Sequence, residues 1–494
     1  MSSTIQSFRS VLLTATQTRS IEKRFGHLDL MRRAGKAAAD FLIARTTRNS
    51  GVLLLAGPGN NGGDALACAA ELKAAGYDPL VVLLADSEKL PSDAREAYRR
   101  AVETGVRVVT AIPAANDAEW IVDGLFGIRL KRPLNGTYVD AVRAISEARS
   151  TGANVLALDV PSGVDADTGA IVGDLAVEAD HTLTFIARKP GLMTGAALDH
   201  VGELHLATLD LELESDSSSV SAFGIDAARA RMRPARANAH KGTHGTLTIV
   251  GGANGMLGAV LLASRAAMRT GAGKVKVAWL ADPHPQVDPL MPEVMMRSAS
   301  DLTADGADSQ VERAALVVGC GMGTSGAAVR VLKAQLQREL PMVIDADALN
   351  LIAQSADLAA LAQRRKAPTI ITPHPAEAAR LLGATTSSVQ SDRIRAARDL
   401  AKGYNCIAVL KGTGTVVVDG TATTINTTGN PLLATAGTGD VLAGMIGALL
   451  AQGYAASDAA RIGVALHGAA ADALAARGVR RAVAGDVIAE IAAL

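Results

Sequence analysis

Four short stretches of the chain carry residues able to do chemistry. GPGNNGGD (57–64) joins an apolar run to helix-compatible sequence, GTGD (437–440) opens a second helix-compatible stretch, and KGTGT (411–415) closes another apolar run. Glycines at such joints let backbone N–H groups approach an anion, and a helix start adds partial positive charge, so all three suit phosphate. Asp440 stands at the mouth of its turn, where a carboxylate either takes a proton from a bound hydroxyl or merely favours the first turn of the helix. Lys411 brings a positive charge to the KGTGT loop, or is a surface lysine at a strand end. The fourth stretch is LDVPSG (158–163), where Asp159 ends an apolar run as an acid/base residue or as a turn carboxylate. His374, between Pro373 and Pro375, reads as a ligand-facing imidazole or as a hydrogen-bonded turn residue. The carboxylates of Asp345-Ala346-Asp347 read best as structural groups at a strand end.

The elements that must position these residues follow from hydrophobic period and turn chemistry. Gly51–Ala56 predicts a strand, 65–75 a helix and Pro79–Leu84 a second strand, together a βαβ unit. Further buried strands are predicted at Trp120–Asp123, Val155–Asp159 and His181–Ile186. In the second half they are predicted at Thr246–Val250, Lys274–Leu280, Leu316–Val318, Met342–Asp345, Thr369–Thr372, Ile407–Leu410 and Thr415–Val418, with helices between, including one to about Arg269 and one over about 440–452. The Ser-rich LESDSSSVS (213–221) has no hydrophobic period and predicts a linker between two domains, 1–215 and 220–494. Both halves read as layered α/β folds with mainly parallel sheets, whose ligands sit at the carboxyl ends of the strands. GPGNNG matches GxGxxG, and Asp86 follows a strand about 20 residues on, so a Rossmann dehydrogenase is the first reading of that stretch alone.

Composition excludes several classes. The 494 residues carry 49 basic and 49 acidic side chains and are 3% aromatic, which argues against nucleic-acid and membrane-surface binding. Cys68, Cys320 and Cys406 lack any CxxC spacing, so they read as buried small hydrophobes in a reducing, cytoplasmic protein. The N-terminal apolar run is too short for a signal peptide, and Val441–Ala451 is shorter than the ~20 residues of a membrane span.

The motifs around these stretches decide the fuller reading. LMRRAGKAAAD (30–40), NNGGD (60–64), VDGLFGIRLKRPLNG (122–136), LDVPSGVDADTG (158–169) and ADHTLTF with KPGL (179–192) resemble, in order, the NAD(P)H-hydrate epimerase family over residues 10–212. HKGTHGTLTIVGGANGMLGA (240–259), RTGAGKVKVA (269–278), VGCGMG (318–323), IDADALN (344–350), TPHPAEAARLL (372–382), LKGTGTVV (410–417) and GNPLLATAGTGDVLAG (429–444) resemble the ribokinase-like superfamily, and within it the ADP-dependent NAD(P)H-hydrate dehydratases. The resemblance implies a Rossmann-like N-terminal domain and a ribokinase-like C-terminal one. It implies that Asn60, Asn61, Gly62, Gly63 and Asp64, with Gly127, Ile128, Arg129, Leu130, Lys131, Arg132 and Pro133, contact the hydrated cofactor in the first domain. Asp159 is then the acid/base residue and Lys131 its partner, and Asn61, Asp123 and Ser162 hold a potassium ion. In the second domain Ala259, Gly323, His374 and Asp440 meet the hydrated cofactor, while Lys411, Gly412, Thr413, Gly414, Thr415 and Gly439 meet the adenine nucleotide. Two departures stand out: Ala65 replaces a glycine after the Asp and could tighten the loop, and Met31-Arg32-Arg33 replaces a more acidic stretch, a change expected only at a helix surface.

The implied activity is repair of NADH and NADPH hydrated at C6 of the nicotinamide ring. The first domain interconverts the R and S hydrates; the second dehydrates the S form, consuming ADP with magnesium and giving AMP and phosphate. Relatives imply a homo-oligomer, a tetramer or larger. Two alternatives compete: a hydroxymethylpyrimidine-type or sugar kinase fused to a nucleotide-binding domain, against which TPHPAE beside KGTGT speaks, and a first domain that only binds an NAD-like ligand, against which Asp123, Asp159 and NNGGD speak.

Overall fold

The structure, a computed structural model, describes residues 10–113, 118–212, 219–234, 237–302 and 313–494. The chain divides into two compact units, Met1–Ser221 and Ala222–Leu494. Of the expected linker, residues 213–218 lie outside the described residues, and Val220 and Ser221 open a strand.

In the first unit the described strands are β1 (Val52–Ala56), β2 (Leu80–Leu83), β3 (Arg107–Val109), β4 (Trp120–Gly124), β5 (Asn154–Leu158), β6 (His181–Phe185) and β7 (Glu203–Ala207). They form one sheet in the order β3-β2-β1-β4-β5-β6-β7, every pair parallel. Val52, Leu54 and Ala56 enter one apolar cluster and Leu53 and Leu55 another, so β1 is buried on both faces. That is why its sequence is a continuous apolar run rather than an alternation. The order reverses between β1 and β4, which opens a crevice at the carboxyl ends of those two strands. The helix after β1 runs from Asn60 to Ala74, five residues earlier than expected. Gly62 permits this, since a Cβ there would stand 2.1 Å from the Gly57 carbonyl oxygen. Asn60 to Asp64 are thus the first turn of a helix, not a free loop.

The second unit holds β8 (Val220–Phe223), β9 (Thr246–Gly251), β10 (Lys274–Trp279), β11 (Met295–Ser298), β12 (Ala314–Val318), β13 (Met342–Ile344), β14 (Thr369–Ile371), β15 (Ile407–Leu410), β16 (Val416–Asp419) and β17 (Ala422–Asn426), in one sheet ordered β11-β10-β9-β12-β13-β14-β15-β16-β17-β8. Pairing is parallel from β11 to β15 and antiparallel from β15 to β17. KGTGT is therefore the turn of a hairpin. Its order also reverses once, between β9 and β12. The helix Thr438–Ala451 buries twelve of its fourteen residues, so the apolar run of 441–451 is a core helix. Gly444 lets it lie against the helix Leu257–Arg269: a Cβ there would be 2.1 Å from the Ala263 carbonyl oxygen. No helix among the described residues is long and apolar enough to cross a membrane.

Candidate functional site

In the first unit a cavity of about 880 Å³ opens at the β1/β4 crevice. Asn60, Asn61, Asp64, Gly127, Ile128, Arg129, Leu130, Lys131, Arg132 and Asp159 line it; Gly62, Gly63 and Pro133 do not. The two glycines are buried in the helix start instead, where they let it close on its neighbours.

Asp159 ends β5 in the left-handed region, with φ 62°, and Ile186 ends β6 at φ 69°. In each case the next residue's N–H bonds back across it, Val160 to the Leu158 carbonyl at 2.7 Å and Ala187 to the Phe185 carbonyl at 2.8 Å. These are two side-by-side γ-turns of the strained kind, and a β-branched residue is especially costly there. They lift both strand ends into the cavity wall. The Asp159 carboxylate accepts from Thr184 Oγ1 and from the Phe185 N–H, each at 3.2 Å, and from Lys189 Nζ. Lys189 is fully buried and also donates to Thr184 Oγ1 and the Phe185 carbonyl, each at 2.9 Å. This corrects the expected pairing. Lys131 is exposed and bonds Asp165 at 2.8 Å, because its loop carries it to the rim, whereas Lys189 rises from beneath. Lys189 opens the KPGL turn, so its motif was visible although its role was not. Glu22, a second residue the sequence did not single out, lines the cavity too. Burial and the Asp159 charge raise its carboxyl, and burial, Asp159 and Glu22 push that of Asp64 well up.

Beneath the wall, Asp123 is fully buried at the end of β4 and accepts from Ser162 Oγ and the Ser162 N–H, both at 2.7 Å, and from the Leu125 N–H at 3.1 Å. Burial still holds its carboxyl up at about 6. Asn61 donates to the Phe126 carbonyl at 3.1 Å, to which Ser162 Oγ lies 3.2 Å away, while Asn61 Oδ1 is buried with no hydrogen-bond partner. An orphaned amide oxygen, a buried carboxylate, a hydroxyl and a carbonyl thus gather at one place, an all-oxygen donor set that suits a hard cation.

Three other expectations change. Asp86 caps the short turn Ser87–Lys89, pairs with Lys89 and is not among the residues lining the cavity. Ala65 is fully buried, and a Cβ on Gly124 would meet its methyl at 2.6 Å, so it packs on β4 rather than tightening a loop. Met31 and Arg32 line the cavity and are not only helix surface.

In the second unit the strand ends again bring the chemistry together. Gly437, at φ 87°, caps the helix Thr438–Ala451, and Asp440 lies in its first turn. Lys411, at the end of β15, bonds the buried Asp345 at the end of β13 at 2.7 Å, and a Cβ on Gly439 would be 3.3 Å from its ammonium. Burial pulls the Lys411 ammonium down, but Asp345 and Glu377 outweigh it and hold it above its ordinary value. Lys411 is therefore no surface lysine, and Asp345 is more than a strand-end group. Burial and the charge of Asp345 raise the Asp440 carboxyl to about 6, with the Cys320 thiol hydrogen-bonded to it. Cys320 is thus more than a packing residue.

The VGCGMG loop reaches this centre from β12. A Cβ on Gly321 would touch the Ala259 methyl at 2.9 Å, and the Gly323 N–H donates to Asp347 at 2.8 Å. His374 caps the helix Pro375–Leu382: its Nδ1 accepts from the Ala376 and Glu377 N–H groups, and Glu377 accepts from the His374 N–H at 2.8 Å. Burial and the nearby Lys411 lower its imidazole, which keeps it neutral with Nε2 bearing the proton. Thr415 Oγ1 donates to the Gly412 carbonyl at 3.0 Å within the hairpin turn. The buried Arg393, overlooked in the sequence, donates to the Leu410 and Lys411 carbonyls and so holds that turn from below. His467 is buried beneath the Thr438 backbone and lowered by burial to about 4.

Two α/β units, each with carboxylates gathered at the carboxyl edge of a mainly parallel sheet, define the class. Residues 27–191 match the family model for YjeF-related protein N-termini, and residues 247–493 match that for NAD(P)H-hydrate dehydratase. The bifunctional NAD(P)H-hydrate repair enzyme of Escherichia coli (strain K12) is 38% identical over 470 residues, covering 93% of this chain and 88% of that one. Its counterpart in Coxiella burnetii is 37% identical, covering 94% and 93%. A ribokinase-like superfamily protein of Enterococcus faecalis matches in structure with a TM-score of 0.50 at 23% identity, over 57% of this chain and 96% of its own, a likeness of fold. The chain belongs to the family of bifunctional NAD(P)H-hydrate repair enzymes.

Proposed function

We infer that the chain restores hydrated NADH and NADPH in two steps, one in each unit. It is an NAD(P)H-hydrate epimerase and an ADP/ATP-dependent NAD(P)H-hydrate dehydratase, an isomerase and a lyase in one chain. Residues 1–215 carry the first activity and 220–494 the second, which keeps β8 with its own sheet.

In the first unit, a proton shared between Lys189 and Asp159 passes through the Asp159 carboxyl to the C6 hydroxyl as the ring nitrogen's lone pair expels water, and returns to the pair as water adds to the other face. Lys189 holds that carboxylate in place and balances its charge. Arg32, Arg129, Lys131 and Arg132 ring the cavity and suit the substrate's phosphates. Asn61, Asp123 and Ser162 would hold a potassium ion, which supplies positive charge against the buried Asp123. Asp123→Ala should abolish any potassium dependence of epimerisation and leave dehydration untouched.

In the second unit, the N–H groups of Gly437 to Gly439 and the Lys411 ammonium receive the terminal phosphate of ADP. Asp440 takes the proton of the C6 hydroxyl, whose oxygen attacks that phosphorus while AMP leaves. Phosphate then departs from C6 as the ring nitrogen donates its lone pair and a proton is lost, regenerating the dihydronicotinamide. Asp345 and Asp440 would be oxygen donors for a magnesium ion, which would neutralise phosphate charge. The placement of Asp440 in the first turn of the helix that Gly437 caps, with the Lys411 ammonium beside Gly439, is the observation that carries this reading.

Val287 and Leu290, exposed in the segment before the edge strand β11, and Met295, which opens it, support a homo-oligomer, and we place the protein in the cytoplasm. The deciding experiment separates the R and S hydrates chromatographically. Protein alone should interconvert them; ADP should then convert the S form to NADH with stoichiometric AMP and phosphate. A stable phosphorylated product would make the second unit a kinase.

A further inference from the structure

A second cluster of ligating side chains lies at the amino ends of β6 and β7, the opposite edge of the sheet from the cavity. His181 opens β6 and pairs in register with Glu203, which opens β7; His205 is two residues further along β7 and on the same face. His181 Nδ1 and His205 Nε2 are 3.2 Å apart, and Glu203 Oε2 lies 3.5 Å from the first and 3.7 Å from the second. Atoms with these spacings lie on a circle of radius about 2.0 Å. An ion a few tenths of an ångström off their plane is therefore about 2.1 Å from all three, the bond length of zinc to nitrogen and oxygen. The spacings also bracket the edge of such a tetrahedron, about 3.4 Å.

The rings are fixed. His181 stacks on Trp120 with centroids 5.7 Å apart and planes at 19°, and Phe41 sets its edge against His181 and His205 at 5.4 and 4.9 Å. Arg45 lies over Phe41, and Glu203 has no lysine or arginine partner among the described residues. A neutral hydrogen bond between the two imidazoles uses one proton and leaves the carboxylate, at 3.5 Å or more, to the solvent. One cation satisfies all three. Side-chain exposures of 20% and 21% for the histidines and 67% for Glu203 leave a fourth position open to water.

We propose that His181, Glu203 and His205 bind one transition-metal ion of the zinc class, which clips the edge strand β7 to β6. Two imidazoles and one carboxylate favour zinc, cobalt or copper over potassium and magnesium.

The test uses the full-length, untagged protein stripped with a chelator. Cobalt(II) should bind one per chain with the intense visible absorption of four-coordinate cobalt, zinc should bleach that absorption, and potassium and magnesium should not. Copper(II) should quench the fluorescence of Trp120. His205→Gln and, because its side chain is exposed and its loss spares the core, Glu203→Gln should each weaken cobalt binding by roughly a hundredfold. An absent visible band, potassium displacing cobalt, or unchanged cobalt affinity in a folded Glu203→Gln variant would overturn the assignment.

Discussion

The two units solve one problem in different ways. Each places a carboxylate at the carboxyl edge of a mainly parallel sheet with a lysine close by. In the first, Lys189 bonds the reactive carboxylate itself, and Asp159 is held in a strained γ-turn by four neighbouring groups. In the second, Lys411 bonds Asp345, a neighbour, and the Cys320 thiol bonds Asp440, whose carboxyl burial and the charge of Asp345 raise to about 6. In the proposed mechanism the first site fixes position and charge, and the second keeps its base poised and its cation for an incoming phosphate. Epimerisation demands a proton carried to and fro over a fixed point, whereas phosphoryl transfer demands a cradle whose charge is completed only when nucleotide arrives.

The comparison breaks first at Lys189. Lys189→Met leaves Asp159 without its buried counter-ion, an uncompensated charge that typically costs about 3–5 kcal/mol. Epimerisation should fall by a hundredfold or more, and the first unit should melt earlier by calorimetry. Lys131→Met removes only an exposed ion pair, worth about 0–1 kcal/mol, so turnover should hold while KM rises. If the two variants behaved alike, Lys189 would lose its distinct place.

Asp440→Asn sharpens the other half. Asn still suits the first turn of a helix, so stability should change by at most about 1 kcal/mol. It cannot accept the hydroxyl proton, so turnover of the S hydrate with ADP should fall by roughly a hundredfold or more, with ADP affinity held or raised. The base must be ionised to act. With its value raised to about 6, kcat/KM of dehydration should be level above that pH and fall about tenfold per unit below it. A folded, ADP-binding Asp440→Asn variant with near-normal turnover would refute the mechanism. Lys411→Ala should weaken ADP binding by roughly tenfold in calorimetry, since a charge beside the phosphate cradle is removed.

Much of this arrangement was legible because burial on both faces and glycine at strand ends leave strong marks in sequence. β1, β4, β5, β6, β9 and β15 fall within a residue or two of their expected places. β3, β7, β8 and β11 are edge strands whose pattern is weak, and they did not show, nor did the inner strand β17. The site residues found were those inside glycine-rich motifs. Lys189, Glu22, Asp345 and Arg393 depend on distant parts of the fold: Lys189 matters through Asp159, thirty residues away, and Arg393 through the carbonyls of Leu410 and Lys411. Charge pairing between strand ends is set by strand order, which no local period encodes. The mistaken choice of Lys131 over Lys189 is an instance, since both are lysines in matching motifs and only topology separates rim from floor.

The smallest effect tests the one departure that falls inside the signature itself. Ala65 follows NNGGD where relatives of this type are expected to carry glycine, which raised the question of a tightened loop. In the fold that position is the sixth residue of the helix Asn60–Ala74, its methyl turned against Gly124 and absent from the cavity wall. Restoring glycine would loosen a helix interior, at about 1 kcal/mol, and leave a small void against β4. For a unit of this size that is a fall of about 2–4 °C in its melting temperature. Because the backbone of Asn60 to Asp64 is fixed by Gly62 against the Gly57 carbonyl and not by the side chain at 65, Ala65→Gly should leave kcat and KM of epimerisation within about twofold. A large gain in activity would mean that the alanine methyl restrains the substrate turn after all, and that the start of this helix yields when the hydrated cofactor binds.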